Sequence, residues 1–131
     1  MGWHREIDEL HAFFERYFLG TEPSLDRVEQ VLASGFTIVA PDGTESDRAA
    51  IIQVIADGGG QASDMVITTS GHRLILQRDE VVVARYIEHH LPAGEAHTDR
   101  LSTVVFTVDA DAPNGLLWQR VHETSVPLGA G

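Results

Sequence analysis

The spacing of apolar residues changes character once along this chain, near residue 63, and that change limits what the chain can fold into. Before it, apolar groups recur at helical intervals. After it come runs rich in valine, isoleucine, threonine and aromatic residues. Helical spacing buries one stripe of a cylinder and strand alternation buries one face of a sheet, so the two halves must cover each other. The pattern predicts an α+β domain in which a strongly curved antiparallel sheet wraps around the helices of the N-terminal half.

Residues 3–19 place Trp3, Ile7, Leu10, Phe14, Tyr17 and Phe18 on one stripe, and Gly20 is placed to end that helix in a left-handed conformation. Pro23-Ser24 opens a shorter helix through Leu25, Val28 and Leu32, stopped by Gly35, and 36–40 reads as a short strand. Pro41-Asp42-Gly43 reads as a turn. Ser46 or Asp47 is the expected cap of a third helix through Ile51, Ile52 and Ile55, which dissolves at Gly58-Gly59-Gly60. Strands are expected at 65–77, 80–91, 97–109 and 116–126, with turns at Arg78-Asp79, Pro92-Ala93-Gly94 and Ala112–Gly115. Short connections make them an antiparallel meander, and Gly71 marks a bulge or bend.

Centring the last two hairpins on their turns pairs Glu88 with Arg100, Tyr86 with Ser102, Ser102 with His122, and Phe106 with Trp118. Strand alternation then puts Tyr86, Glu88, Arg100, Ser102, Phe106, Trp118, Arg120, His122 and Thr124 on one face. That mixture of aromatic and titratable groups suits a pocket lining, to which Phe14, Tyr17 and Phe36 would add from outside the hairpins. The opposite face carries Val83, Ile87, Leu101, Val105, Leu117, Val121 and Glu123, and its aliphatic character predicts a homodimer through the sheet.

Composition excludes several chemistries. The chain has no cysteine, hence no thiolate nucleophile and no disulfide, and all nine basic residues are arginine, hence no Schiff-base lysine. A formal charge of −11 opposes phosphate backbones, so no nucleic-acid partner is expected. No apolar run approaches the ~18 residues that span a bilayer, and the first residues lack a secretion-signal layout, so a single domain over 1–131, cytoplasmic and without a membrane partner, is expected.

Within the expected pocket, His122, Glu88 and Tyr86 are the candidates for proton transfer; Arg100, Ser102, Trp118, Arg120 and Thr124 are candidates for holding a ligand. Each has a plainer alternative. His122 is also explained as a buried imidazole bonded to Ser102, Glu88–Arg100 as a cross-strand ion pair worth ~0.2–1 kcal/mol, and Trp118 with Phe106 as packing against Phe14 and Tyr17. His90 and His97 at one hairpin mouth are a candidate imidazole pair for zinc or nickel, but a solvated strand end accounts for them better. No metal and no cofactor are therefore expected.

The segments Glu9–Gly20, Phe36–Gly43, Ser102–Phe106 and Trp118–Thr124, in this order, resemble the SnoaL-like and ketosteroid-isomerase-like branch of the nuclear-transport-factor-2-like superfamily. The closing Trp118-x-x-x-His122 is also similar to the end of the association domain of calcium/calmodulin-dependent kinase II. The resemblance implies a cone-shaped, cystatin-like roll, a cavity between helices and sheet holding an unidentified small molecule, and dimerisation through the sheet. It implies no single reaction, because isomerases, cyclases, dehydratases and non-enzymatic modules share this fold. Two departures stand out. Thr124 occupies the place of a second histidine found in many relatives, and the steroid isomerases' catalytic aspartate and tyrosine–aspartate oxyanion pair have no matching positions.

Overall fold

The structure, a computed structural model, describes residues 2–91 and 99–126. Helices α1 (Trp3–Phe18) and α2 (Asp26–Val31) lead into strand β1 (Leu32–Val39), the short β2 (Glu45–Asp47) and helix α3 (Arg48–Gly58). Four strands follow, β3 (Val66–Arg78), β4 (Val81–Leu91), β5 (Arg100–Val108) and β6 (Leu116–Ser125). The helices and long strands fall within a few residues of their expected positions, and the expected turn 92–94 lies outside the described residues.

The order across the sheet is β2-β1-β6-β5-β4-β3, so the expected meander forms four adjacent strands. Two features differ from expectation. Strand β1 starts at Leu32 rather than Phe36 and runs parallel to β6, and Glu45–Asp47 pairs with β1 as a strand instead of remaining a loop. The segment Ala33-Ser34-Gly35 has weak strand propensity, but Leu32 and Ala33 are buried and tertiary packing prevails.

The ends of the helices follow sequence chemistry. Gly20, at φ +85°, closes α1: its N–H donates to Tyr17 O and that of Thr21 to Arg16 O, which satisfies two carbonyls left free by the helix end. Asp47 caps α3 by accepting from the Ala50 N–H at 2.9 Å. Gly71, at φ +62°, sits in the expected bulge of β3.

The core lies between α1, α2 and the inner face of the sheet, built on Ile7, Leu10, Phe13, Val28, Val31, Val82, Ala84, Val104, Phe106 and Trp118. One carboxylate is buried inside it. Glu6 is 0 % exposed and accepts from both Nη atoms of Arg27, from Asn114 Nδ2 at 2.9 Å and from Trp118 Nε1 at 2.8 Å. Those four donors fill its lone pairs, the condition under which a buried charge is tolerated. They also tie α1 to α2, to the β5–β6 turn and to β6.

Candidate functional site

Where β5 meets β6, Phe106 stands opposite Trp118, but Val105 stands opposite Arg120, leaving Gln119 as an extra residue. An insertion of one residue turns every later side chain to the other face. Trp118 therefore stays under the helices, and beyond the bulge Val121 and Glu123 are buried while His122 and Thr124 are exposed. The expected faces of Arg120, His122, Thr124, Val121 and Glu123 are thus corrected. On the outer side, Arg120 bonds Thr37 Oγ1 at 2.7 Å and pairs with Glu45 at 2.9 Å.

A cavity of about 270 Å³ opens between the helices and the sheet. Leu10, His11 and Phe14 of α1 line it, with Ile51, Val54 and Ile55 of α3, Phe36 and Ile38 of β1, and Ile67, Tyr86, Trp118 and Val121 of the sheet. Its polar groups are gathered on the sheet and on α1: His11, Glu88, His90, Arg100 and Glu123. Of the expected pocket residues, Phe14, Phe36, Tyr86, Glu88, Arg100 and Trp118 meet there. Ser102 is fully buried beside Tyr86 instead of lining the space, and Tyr17 stacks on Phe13 with ring centroids 5.7 Å apart.

The imidazole of the site is His11, which sequence reasoning missed. Its Nδ1 donates to Ile7 O at 2.7 Å, and its Nε2 lies 2.7 Å from Glu88 Oε1. Because a carbonyl only accepts, Nδ1 carries a proton. Burial pulls the His11 pKa down, but the charge and hydrogen bond of Glu88 outweigh it and leave the pKa raised. For Glu88, burial acts upward, yet the imidazolium of His11 and the bonds from His11 and His90 hold its carboxyl well below the usual carboxylate range. Both shifts favour the imidazolium–carboxylate form of the pair. Both of its ring N–H groups are spent inside the protein.

The groups that face the cavity with capacity to spare are Tyr86, Arg100 and Glu123. Tyr86 and Glu123 flank Ser102 on neighbouring strands, and Glu88 stands opposite Arg100 in the adjacent row. The expected Glu88–Arg100 register is therefore observed. The guanidinium, however, turns to Glu123, with Nη1 to Oε1 at 3.3 Å. Burial and then the charge of Glu88 raise the Glu123 pKa, and Arg100 restrains the rise. Burial, followed by the Glu88 and Glu123 charges, pushes the Tyr86 phenol well above its ordinary value, with only the Ser102 hydroxyl acting the other way. Tyr86 thus remains a neutral donor at all working pH values.

The expected His90–His97 pair cannot be placed whole, because His97 lies outside the described residues; His90 contacts Glu88 through Nε2. On the outer face, Ser70 Oγ meets His89 Nε2 at 2.6 Å and His89 Nδ1 meets Asp99 Oδ2 at 2.7 Å. The order matches that of a serine hydrolase relay, but these residues line no part of the cavity. We read the chain of bonds as a tie between β3, β4 and the start of β5.

An open-ended α+β roll, its helices closing a partly polar cavity against a curved sheet, is the architecture of the nuclear-transport-factor-2-like superfamily, as the sequence resemblance implied. The chain is similar over 97 % of its length to the whole of an NTF-2-like protein of unknown function from Pseudomonas aeruginosa, at 25 % identity and a TM-score of 0.85. It is also similar to the CaMKII hub of S. rosetta (14 % identity, 94 % of this chain and 93 % of that one, TM-score 0.73). An NTF2-like protein of Cytophaga hutchinsonii matches at 12 % identity, covering 96 % of this chain and 100 % of the other, with a TM-score of 0.62. No family model and no curated protein matches the chain. Among the described residues, no helix is long and apolar enough to cross a membrane.

Proposed function

We propose that the chain binds a compact, largely apolar molecule bearing a carbonyl or carboxylate group, and that it moves a proton on that molecule. The observation that carries this reading is Glu123, a mostly buried carboxyl with a raised pKa that faces an apolar cavity beside Arg100. A carboxyl raised toward working pH is suited to taking and returning a proton. Arg100 and the neutral Tyr86 phenol supply donors for an oxyanion that develops on the neighbouring carbonyl. His11 and Glu88 act behind them as a fixed ion pair that sets the local field. The volume, just below the ~300–1,000 Å³ usual for ligand sites, favours a small molecule. The proton-transfer role expected of His122 passes in this reading to Glu123, because His122 is exposed on the other side of the sheet.

The test uses short-chain 2-oxo and 3-oxo carboxylates. Binding is followed through Trp118 fluorescence in a Trp3→Phe background, and exchange of the proton beside the carbonyl by NMR in deuterated water. The native cavity should quench Trp118 and catalyse exchange, while Glu123→Gln should bind and fail to exchange. Quenching with equal exchange by both proteins would refute the role of Glu123, and no quenching across the series would refute the ligand class.

A second reading, self-association, has its own support. Leu74, Ile75 and Leu76 of β3 are 42 %, 53 % and 48 % exposed, next to the aliphatic outer face of β4 and β5. The similarity to a hub domain adds to it. In this reading the chain forms a homodimer through the sheet, and sedimentation should give twice the mass of one chain.

A further inference from the structure

At the N-terminal half of α1, His4 and Asp8 stand one turn apart, which puts both side chains on one face of the helix. That face meets β3, and β3 answers with a third residue of the same chemical kind. Ser70 of β3 pairs with Ile87, but the next paired residue is Arg73, opposite Arg85, so Gly71 and His72 together occupy the place opposite Tyr86. This bulge, made possible by the positive φ of Gly71, aims His72 back at α1. His72 Nε2 reaches Asp8 Oδ1 at 2.9 Å, and His4 Nε2 lies 3.3 Å from Asp8 Oδ2. The two imidazoles stack with centroids 3.7 Å apart. One ligand atom from each of the three residues falls within 4.8 Å of the others.

We propose that His4, Asp8 and His72 bind one divalent transition-metal ion of the zinc class. Two imidazole nitrogens and one carboxylate oxygen are the donor set such ions prefer, whereas calcium and magnesium favour oxygen alone. Each carboxylate oxygen already faces one imidazole Nε2, so an ion entering between them replaces hydrogen bonds with coordination. His72 is held at 10 % side-chain exposure, while His4 and Asp8 are half exposed, at 55 % and 50 %, which leaves the ion a path in and open positions for water. Thr69 supplies the supporting bond of an outer shell, its hydroxyl donating to Asp8 Oδ1 at 2.6 Å. The formal charge of −11 draws cations toward the surface. The bound ion joins α1 to the edge strand β3 across more than sixty residues of chain and stabilises that contact.

The experiment titrates zinc(II) into the tag-free, chelator-treated full chain against a chromophoric competitor, and records the absorption of cobalt(II) in its place. One equivalent should bind, raise the melting temperature, and give cobalt bands of a site with nitrogen and oxygen ligands. Outer-shell partners alone are worth about 10–100-fold in metal affinity, so Thr69→Val should weaken binding about ten-fold, and His72→Ala and His4→Ala by more than ~100-fold. His4 is exposed on the first turn of α1, so His4→Ala keeps the fold and the test survives even where His72→Ala is unstable. Unaltered affinity in folded His4→Ala, or no saturable binding by the native chain, would overturn the assignment.

Discussion

Replacing Glu88 by glutamine should reverse the sign of one contribution to the pH dependence of stability. In the native chain Glu88 raises His11 above its ordinary pKa, so folded His11 keeps its proton to higher pH than the unfolded imidazole, which releases it near pH 6.5. Its contribution to stability is complete below that value and is lost as pH rises through the folded pKa. In Glu88→Gln the counter-charge is gone, and a buried imidazole whose Nδ1 must donate to Ile7 O stays neutral. The unfolded state then binds the extra proton, and the variant loses stability as pH falls. At the alkaline end of the range the loss should be that of a charge-assisted hydrogen bond, about 1.5–3 kcal/mol. From there the gap between native and variant proteins should widen as pH falls through the range in which only the native fold keeps His11 protonated, with a ceiling of about 1.4 kcal/mol per pH unit. Urea unfolding of both proteins at several pH values measures the difference, in which titrating groups that do not sense the Glu88 charge cancel; Glu123, which does sense it, is silenced by making both measurements in a Glu123→Gln background. Repeating it in a His90→Gln background removes the second imidazole touching Glu88. A gap that stays constant across the range would mean that His11 is neutral in the native fold, and the imidazolium–carboxylate assignment would fall.

Glu6→Gln should cost about 3–5 kcal/mol in urea unfolding, because an amide NH2 placed among the Arg27, Asn114 and Trp118 donors leaves buried partners unmatched. Asp47→Ala should lower stability by about 1 kcal/mol through loss of the α3 cap, seen as a shifted midpoint at unchanged slope. His122→Ala, on the exposed outer face, should change stability by less than ~0.5 kcal/mol and leave ligand quenching of Trp118 intact; loss of quenching would show that the bulge does not form as described.

The elements were legible because each rests on local chemistry: the α1 stripe with Gly20 at its end, the Asp47 cap, and the turns between alternating strands. The pairing of β1 with β6 was not, since a parallel partner far along the chain leaves no mark on either segment. At the site, Tyr86, Glu88, Arg100 and Trp118 were placed correctly by counting back from the hairpin turns. The count failed at Gln119-Arg120, where neither glycine nor proline signals a bulge, and one unmarked residue exchanged Glu123 for His122. His11 did leave a signal. It follows Leu10 on the same apolar stripe, with Ile7 before it and Phe14 after, and a histidine on a helix face turned to the core asks for a partner. His4 and Asp8 carried a comparable hint in their spacing, but His72 lies sixty-four residues beyond Asp8, and only folding brings it near.

The extra residue in β6 also bears on how relatives should be aligned. A tryptophan and the residue four places later share a face in an uninterrupted strand, but here the partners of Trp118 beneath the helices are three and five places on. In a homologue that lacks the insertion, the residue written below His122 in an ungapped comparison would be the one pointing into its cavity. Chemistry could then be credited to the wrong column on both sides. Transferring a catalytic assignment in either direction requires a one-position gap at Gln119, set from coordinates and not from letters.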